Sequence, residues 1–155
     1  GDATCVLPYD AVEDKVVLLE QFRVASIFEN QSPWLIELIA GINEQGELPE
    51  EVARRESEEE AGLQLGEMHK ICDYLVSPGG TNEKVSLYCA QIDSSGVGGI
   101  YGLEEEDEDI KVHVIKFKDA FDMIAGGLIN NAAAIIALQW LALNKDGMDV
   151  KQVKK

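Results

Sequence analysis

Glu56, Glu59 and Glu60 stand at positions i, i+3 and i+4 of a stretch, Pro49–Ala61, that reads as a helix. At that spacing three carboxylates share one helix face. Like charges so close destabilise a bare helix, so the face is either bathed in solvent or neutralised by a cation. Magnesium takes a few carboxylates together with waters and phosphate oxygens, and a cluster of this kind suits the cleavage of a diphosphate. Gly41, upstream of the helix, reads as a turn that lets a main-chain carbonyl such as that of Ala40 reach the same ion. The plain alternative is an acidic helix in water, held by i,i+4 pairs such as Glu51 with Arg55.

The remaining acid is unevenly spread. It concentrates at Glu44–Glu60 and again at Glu104–Asp109, within a formal net charge of −16. Such a chain repels nucleic acid backbones and anionic membrane surfaces, and repels an anionic substrate unless cations accompany it. A length of 155 residues with 46% hydrophobic and 27% charged residues suits one globular domain with a core, taken here as residues 1–155. Cys5, Cys72 and Cys89 make an odd count with no CxxC spacing, the pattern of buried reduced thiols in a cytoplasmic protein rather than of disulfides or zinc. No stretch approaches the ~20 apolar residues of a membrane span.

Several apolar runs must position the acids. Strands are expected at Thr4–Leu7, Lys15–Phe22, Met68–Val76, Val85–Ile92 and Lys111–Phe117, with a continuation or new strand at Val24–Phe28. Trp34–Ala40 is a further apolar run, ended by Gly41. The helix is expected to enter through Leu48 and Pro49 and to stop at Gly62. Asp119–Ala125 and Asn130–Leu143 read as two more helices, and Asp93–Asp109 as a long loop. Strands interleaved with helices imply an α/β layered domain.

The spacing around the acidic helix is specific. Gly41, five residues, Glu47, seven residues, then Arg55-Glu56-Ser57-Glu58-Glu59-Glu60-Ala61-Gly62-Leu63 resembles the Nudix box GX5EX7REUXEEXGU, where U is bulky and aliphatic. Every fixed letter matches, and Ser57 at the first U is the one departure. Pro78, sixteen residues after Gly62, sits where the ADP-ribose pyrophosphatase branch of the family carries proline. Glu20–Arg23, Ser32–Gly41, Ser77–Glu83, Gly102–Val114 and Asn130–Leu141 resemble that branch too, so the likeness covers nearly the whole chain.

The resemblance implies a Nudix fold, a mixed β-sheet sandwiched between helices, and magnesium-dependent hydrolysis of ADP-ribose to AMP and ribose 5-phosphate. It implies two to three ions, Mg2+ or Mn2+, held by Glu56, Glu60, Glu108 and the Ala40 carbonyl, with Glu59 in support. It implies Arg55 pairing with box carboxylates, with Glu47 as its partner, and Glu106 of the acidic loop as the general base. Arg23 would contact a substrate phosphate, Ile42 the nucleoside side, and Ser77, Pro78, Gly79 and Glu83 the ribose end. His113 is expected to be packed or exposed rather than catalytic. Relatives in this branch are homodimers with an N-terminal segment exchanged between subunits; the sequence begins after that segment, so this chain is expected to be a fragment. Two other readings stay open: a pyrophosphatase for another nucleoside-diphosphate sugar, and a Nudix module that binds ADP-ribose without cleaving it.

Overall fold

The computed structural model describes residues 1–29, 32–102, 104 and 109–148. Its strands are β1 (Asp2–Asp10), β2 (Lys15–Phe22), β3 (Trp34–Glu37), β4 (Ile39–Ile42), β5 (Met68–Leu75), β6 (Lys84–Gln91), β7 (Gly99–Tyr101) and β8 (Ile110–Lys116). Its helices are α1 (Pro49–Ala61), α2 (Phe117–Ala125) and α3 (Ala132–Asn144). The strands form one mixed sheet in the order β5-β6-β1-β2-β8-β7, with β3 on β2 and β4 on β1. β1 and β6 run parallel and the other pairs antiparallel.

Near-continuous apolar runs are what a sheet covered on both faces requires, and alternation sorts each run between two cores. Cys5, Leu7 and Tyr9 of β1, Val16 and Leu18 of β2, and Leu87 and Cys89 of β6 pack with Ala120 of α2 and Ala134, Leu138 and Leu141 of α3. Val6, Val17, Leu19, Tyr88 and Ala90 point the other way, onto Ala53 and Ala61 of α1. The sheet is therefore layered between α1 on one side and α2 with α3 on the other, the α/β arrangement expected from the sequence.

The sheet forks. β1 meets β2 at Tyr9–Val16 and Asp10–Lys15, near their connecting turn. Toward the other end β4 pairs with β1 from Ala3–Ile42 to Val6–Ile39, while β3 pairs with β2 from Leu19–Glu37 to Phe22–Trp34. The run expected as one segment, Trp34–Ala40, is thus two short strands broken at Leu38, one on each arm. Gly41 is not a turn: it lies inside β4, opposite Thr4. Three other expectations are corrected. β1 runs from Asp2 to Asp10, beyond both ends of the expected Thr4–Leu7. Val24–Glu29 is a short 3-10 helix rather than a strand. The stretch read as one loop after β6 contains β7, which adds an edge strand to β8.

α1 is docked on the fork and fixed at both ends. Val52, Ala53 and Ala61 are buried, and full burial of a side chain the size of valine contributes about 1.5 kcal/mol or more. Leu48 at the N-cap has no side-chain acceptor, so the cap rests on Glu51, whose carboxylate accepts the Leu48 N–H at 2.9 Å. Gly62 closes the helix in the left-handed region at φ 62°. It donates to the Glu58 carbonyl at 2.9 Å, and the Leu63 N–H reaches the Ser57 carbonyl at 2.9 Å.

Candidate active site

Arg55 is the hub of the acidic face. Its Nε and Nη2 donate to the two oxygens of Glu47 at 3.0 and 3.1 Å, and its Nη1 to Glu56 at 2.6 Å and Glu59 at 3.4 Å. Two parallel bonds of this kind fix direction as well as charge. The hydrogen bonds from Arg55 hold the Glu47 carboxyl below the usual glutamate range. The bonds to Glu47, and then to Glu56, push the Arg55 guanidinium further up. The i,i+4 pairing of Glu51 with Arg55 is not among the bonds of the structure: Glu51 serves the helix cap instead.

Glu56 and Glu60 point down to the fork. A Cβ on Gly41 would fall on the side chain of Glu56, at Oε1, Cδ and Cγ, so the bare Cα of β4 is what leaves room for that carboxylate. Glu60 is buried. Its Oε2 accepts the Ala40 N–H of β4 at 3.2 Å, and its Oε1 accepts from Gln21 Nε2 of β2 at 3.4 Å. Glu60 therefore spans both arms of the fork.

Oxygen donors of this type fit a hard divalent cation. The cradle at Gly41 and the burial of Glu60 beside Ala40 keep two such donors next to one stretch of main chain. Among the described residues no three His, Cys, Asp or Glu side chains are grouped closely enough to hold an ion. Glu106 and Glu108 lie outside the described residues.

The expected substrate contacts gather at the forked end. Arg23 follows β2 and is bound by Glu37 of β3, with Nε at 3.1 and 3.2 Å from its two oxygens and Nη2 at 2.7 Å from Oε2. Ile42 ends β4 and is 73% exposed, so it is free of the core. Ser77, Pro78, Gly79 and Glu83 lie in the connection from β5 to β6, which leads to the end of the sheet where Lys84 faces Asp2. The Ser77 carbonyl accepts from Gly80 and Thr81, each at 2.9 Å, so this connection is a tight turn. His113 is away from these groups: its Nε2 lies 2.6 Å from Glu20 Oε2, on the face of the sheet that carries Leu18 and Ile115. Trp34 is half-exposed and sits edge-on to Phe22 at 5.6 Å between ring centroids.

Two partners escaped the sequence reading, Gln21 and Glu37. Each is a polar residue inside an apolar strand, at a position whose alternation points to the α1 face. That misfit was the available signal.

Residues 1–137 match the family model described as NUDIX domain. The chain belongs to the NUDIX family. This NUDIX chain is 45% identical over 148 residues to the ADP-ribose pyrophosphatase of Escherichia coli strain K12, across 96% of the chain and 71% of that protein. It is 36% identical over 149 residues to the GDP-mannose pyrophosphatase of Escherichia coli O1:K1 / APEC, across 93% of the chain and 75% of that protein. A crystal structure of an ADP compounds hydrolase superposes with a TM-score of 0.71 at 21% identity, over 92% of the chain and 74% of that structure. At that identity the likeness is one of fold, and it agrees with the sheet layered between helices. Like its relatives, this NUDIX protein is a hydrolase. Among the described residues no helix is long and apolar enough to cross a membrane.

Proposed function

We propose that the protein hydrolyses the diphosphate bond of ADP-ribose, giving AMP and ribose 5-phosphate. The observation that carries the reading is the identity to an ADP-ribose pyrophosphatase at 45% across 96% of the chain. The cradle of Glu56 on Gly41 and the buried Glu60 beside Ala40 support it, because they present hard oxygen donors beside the main chain.

Glu56, Glu60, Glu108 and the Ala40 carbonyl would hold two to three Mg2+ or Mn2+ ions, with Glu59 in support. Bound there, the ions neutralise the diphosphate and lower the pKa of a water. Glu106 takes the proton of the attacking water. Arg55 bridges the box carboxylates and keeps them oriented. Arg23, aligned by Glu37, donates to a substrate phosphate. Ile42 lines the nucleoside side, and Ser77, Pro78, Gly79 and Glu83 frame the ribose, where the Glu83 carboxylate accepts from sugar hydroxyls. The proposed setting is a single domain acting as a homodimer in the cytoplasm.

The relationship to a GDP-mannose pyrophosphatase favours one second reading, the same chemistry on another nucleoside-diphosphate sugar. The deciding experiment measures AMP release from ADP-ribose with and without Mg2+, beside GDP-mannose and other nucleotide sugars. ADP-ribose is expected to give the highest kcat/KM, and only with metal. A higher value for GDP-mannose selects the second reading. Tight ADP-ribose binding with no product in the presence of Mg2+ shows a binding module instead.

A further inference from the structure

We infer that Gln21 is a positioning residue of the metal site, holding Glu60 across the fork in the sheet from the arm opposite Ala40. The inference rests on the proposed role of Glu60 as a metal ligand. Gln21 is the last inward-facing residue of β2, in the alternation that sends Val17 and Leu19 toward α1. It is 8% exposed and Glu60 is 5% exposed, so water supplies little of what either group needs. A carboxylate can only accept, so the amide must turn its NH2 to Glu60. That donor sits 3.4 Å from Oε1, while the Ala40 N–H sits 3.2 Å from Oε2. The two oxygens are thereby assigned to two different strands, and rotation of the carboxylate about its last bond is opposed from both sides.

The choice of an amide has a consequence. An arginine or lysine here would pair with Glu60, reduce its charge and compete with a divalent cation. A neutral donor orients the carboxylate and leaves its charge for the ion. At 3.4 Å the bond is long for N–H···O, so it adds little to stability and its effect falls on ligand orientation. Partners that orient a metal ligand in this way are worth about 10–100-fold in metal affinity or activity.

The test titrates Mn2+ into the substrate-free protein by calorimetry, for the wild type and for Gln21→Met, which keeps the length and removes the donor. Q21M is expected to bind Mn2+ about tenfold more weakly, with the thermal midpoint close to wild type. A residue that merely fills space would leave the metal affinity unmoved. If Q21M does not fold, Gln21→Ser, too short to reach Glu60, decides by the same titration. Wild type and variant binding Mn2+ equally well overturns this inference alone. A wild-type protein that binds no Mn2+ overturns the metal site and the inference with it.

Discussion

Glu56 lies in the space that a side chain at position 41 would occupy, with its Oε1, Cδ and Cγ all within reach of an added Cβ on Gly41. The glycine is needed for that absence, not for its backbone. Gly41 sits in β4 paired with Thr4 and is not among the residues of positive φ, so alanine meets no conformational penalty there.

Gly41→Ala therefore separates catalysis from folding. The methyl group displaces the Glu56 carboxylate, and a misplacement on the order of 1 Å in a catalytic group costs about 100-fold in rate. Metal-dependent kcat/KM is expected to fall by that order, while the midpoint of thermal unfolding moves far less. A G41A protein with wild-type turnover would show that Glu56 is not held by this contact.

The same glycine shows what the sequence could and could not yield. The spacing from Gly41 to Leu63 was visible, because it repeats a pattern of fixed residues, and the helix ends were visible because Pro49 and Gly62 act locally. Strand pairing was not visible. An apolar run such as Trp34–Ala40 says that it is buried, but not that Leu38 divides it between two partners. Without the fork, Gly41 looked like a turn. Gln21 and Glu37 stayed hidden for a related reason: Glu60 is brought to Gln21 by the docking of α1, and Arg23 to Glu37 by the pairing of β2 with β3, not by nearness along the chain.

Glu47 is the long-range anchor of Arg55, and the bond from Arg55 keeps its carboxyl below the usual range of about 4. The carboxylate is therefore fully ionised throughout the neutral range and adds no step to a pH–rate profile there. Glu47→Gln removes the charge and leaves Arg55 to settle on Glu56 and Glu59, which it already reaches at 2.6 and 3.4 Å. Activity is expected to fall about tenfold, as when a metal ligand loses its orienting partner, and the loss should be the same at every pH above about 6. Steady-state kinetics of E47Q across that range checks both points; unchanged kcat/KM would mean that Arg55 holds its position without Glu47.

Asp10, at the opposite end of the sheet, is a carboxylate whose ionisation contributes to stability. It is buried, and its carboxylate accepts the Val12 and Glu13 N–H groups at 3.0 Å each. It also accepts the Ser94 N–H at 2.9 Å and the Ser94 hydroxyl at 2.6 Å. Burial works to raise its pKa, but the bonds from Ser94 and from the turn outweigh it and leave the pKa lowered. A lowered folded pKa means that the stabilisation is complete above the unfolded value of about 3.9 and is lost as pH falls through the folded value. Asp10→Ala is expected to cost about 3 kcal/mol at pH 7. The gap between wild type and D10A in urea unfolding should narrow below about pH 4. A gap that persists undiminished at pH 2.5 would assign the effect to packing rather than to the ionised carboxylate.

Ser57 is the one departure from the box pattern, and the structure shows its consequence. The residue is fully buried on the underside of α1, and its hydroxyl has no hydrogen-bond partner among the described residues. A buried hydroxyl left unpaired costs about 1–3 kcal/mol relative to a paired one, and serine is also a poorer helix former than alanine. Ser57→Ala removes the hydroxyl without adding volume, so it risks no clash with the sheet below. The variant is expected to be more stable by about 1 kcal/mol, a rise of a few degrees in Tm for a protein of this size, with metal-dependent turnover unchanged. Its neighbours Glu56 and Glu60 point to Gly41 and Ala40 rather than to position 57, which is why activity should not follow stability. If S57A proves less stable than wild type, the hydroxyl has a partner in solution and the helix is seated on it rather than in spite of it.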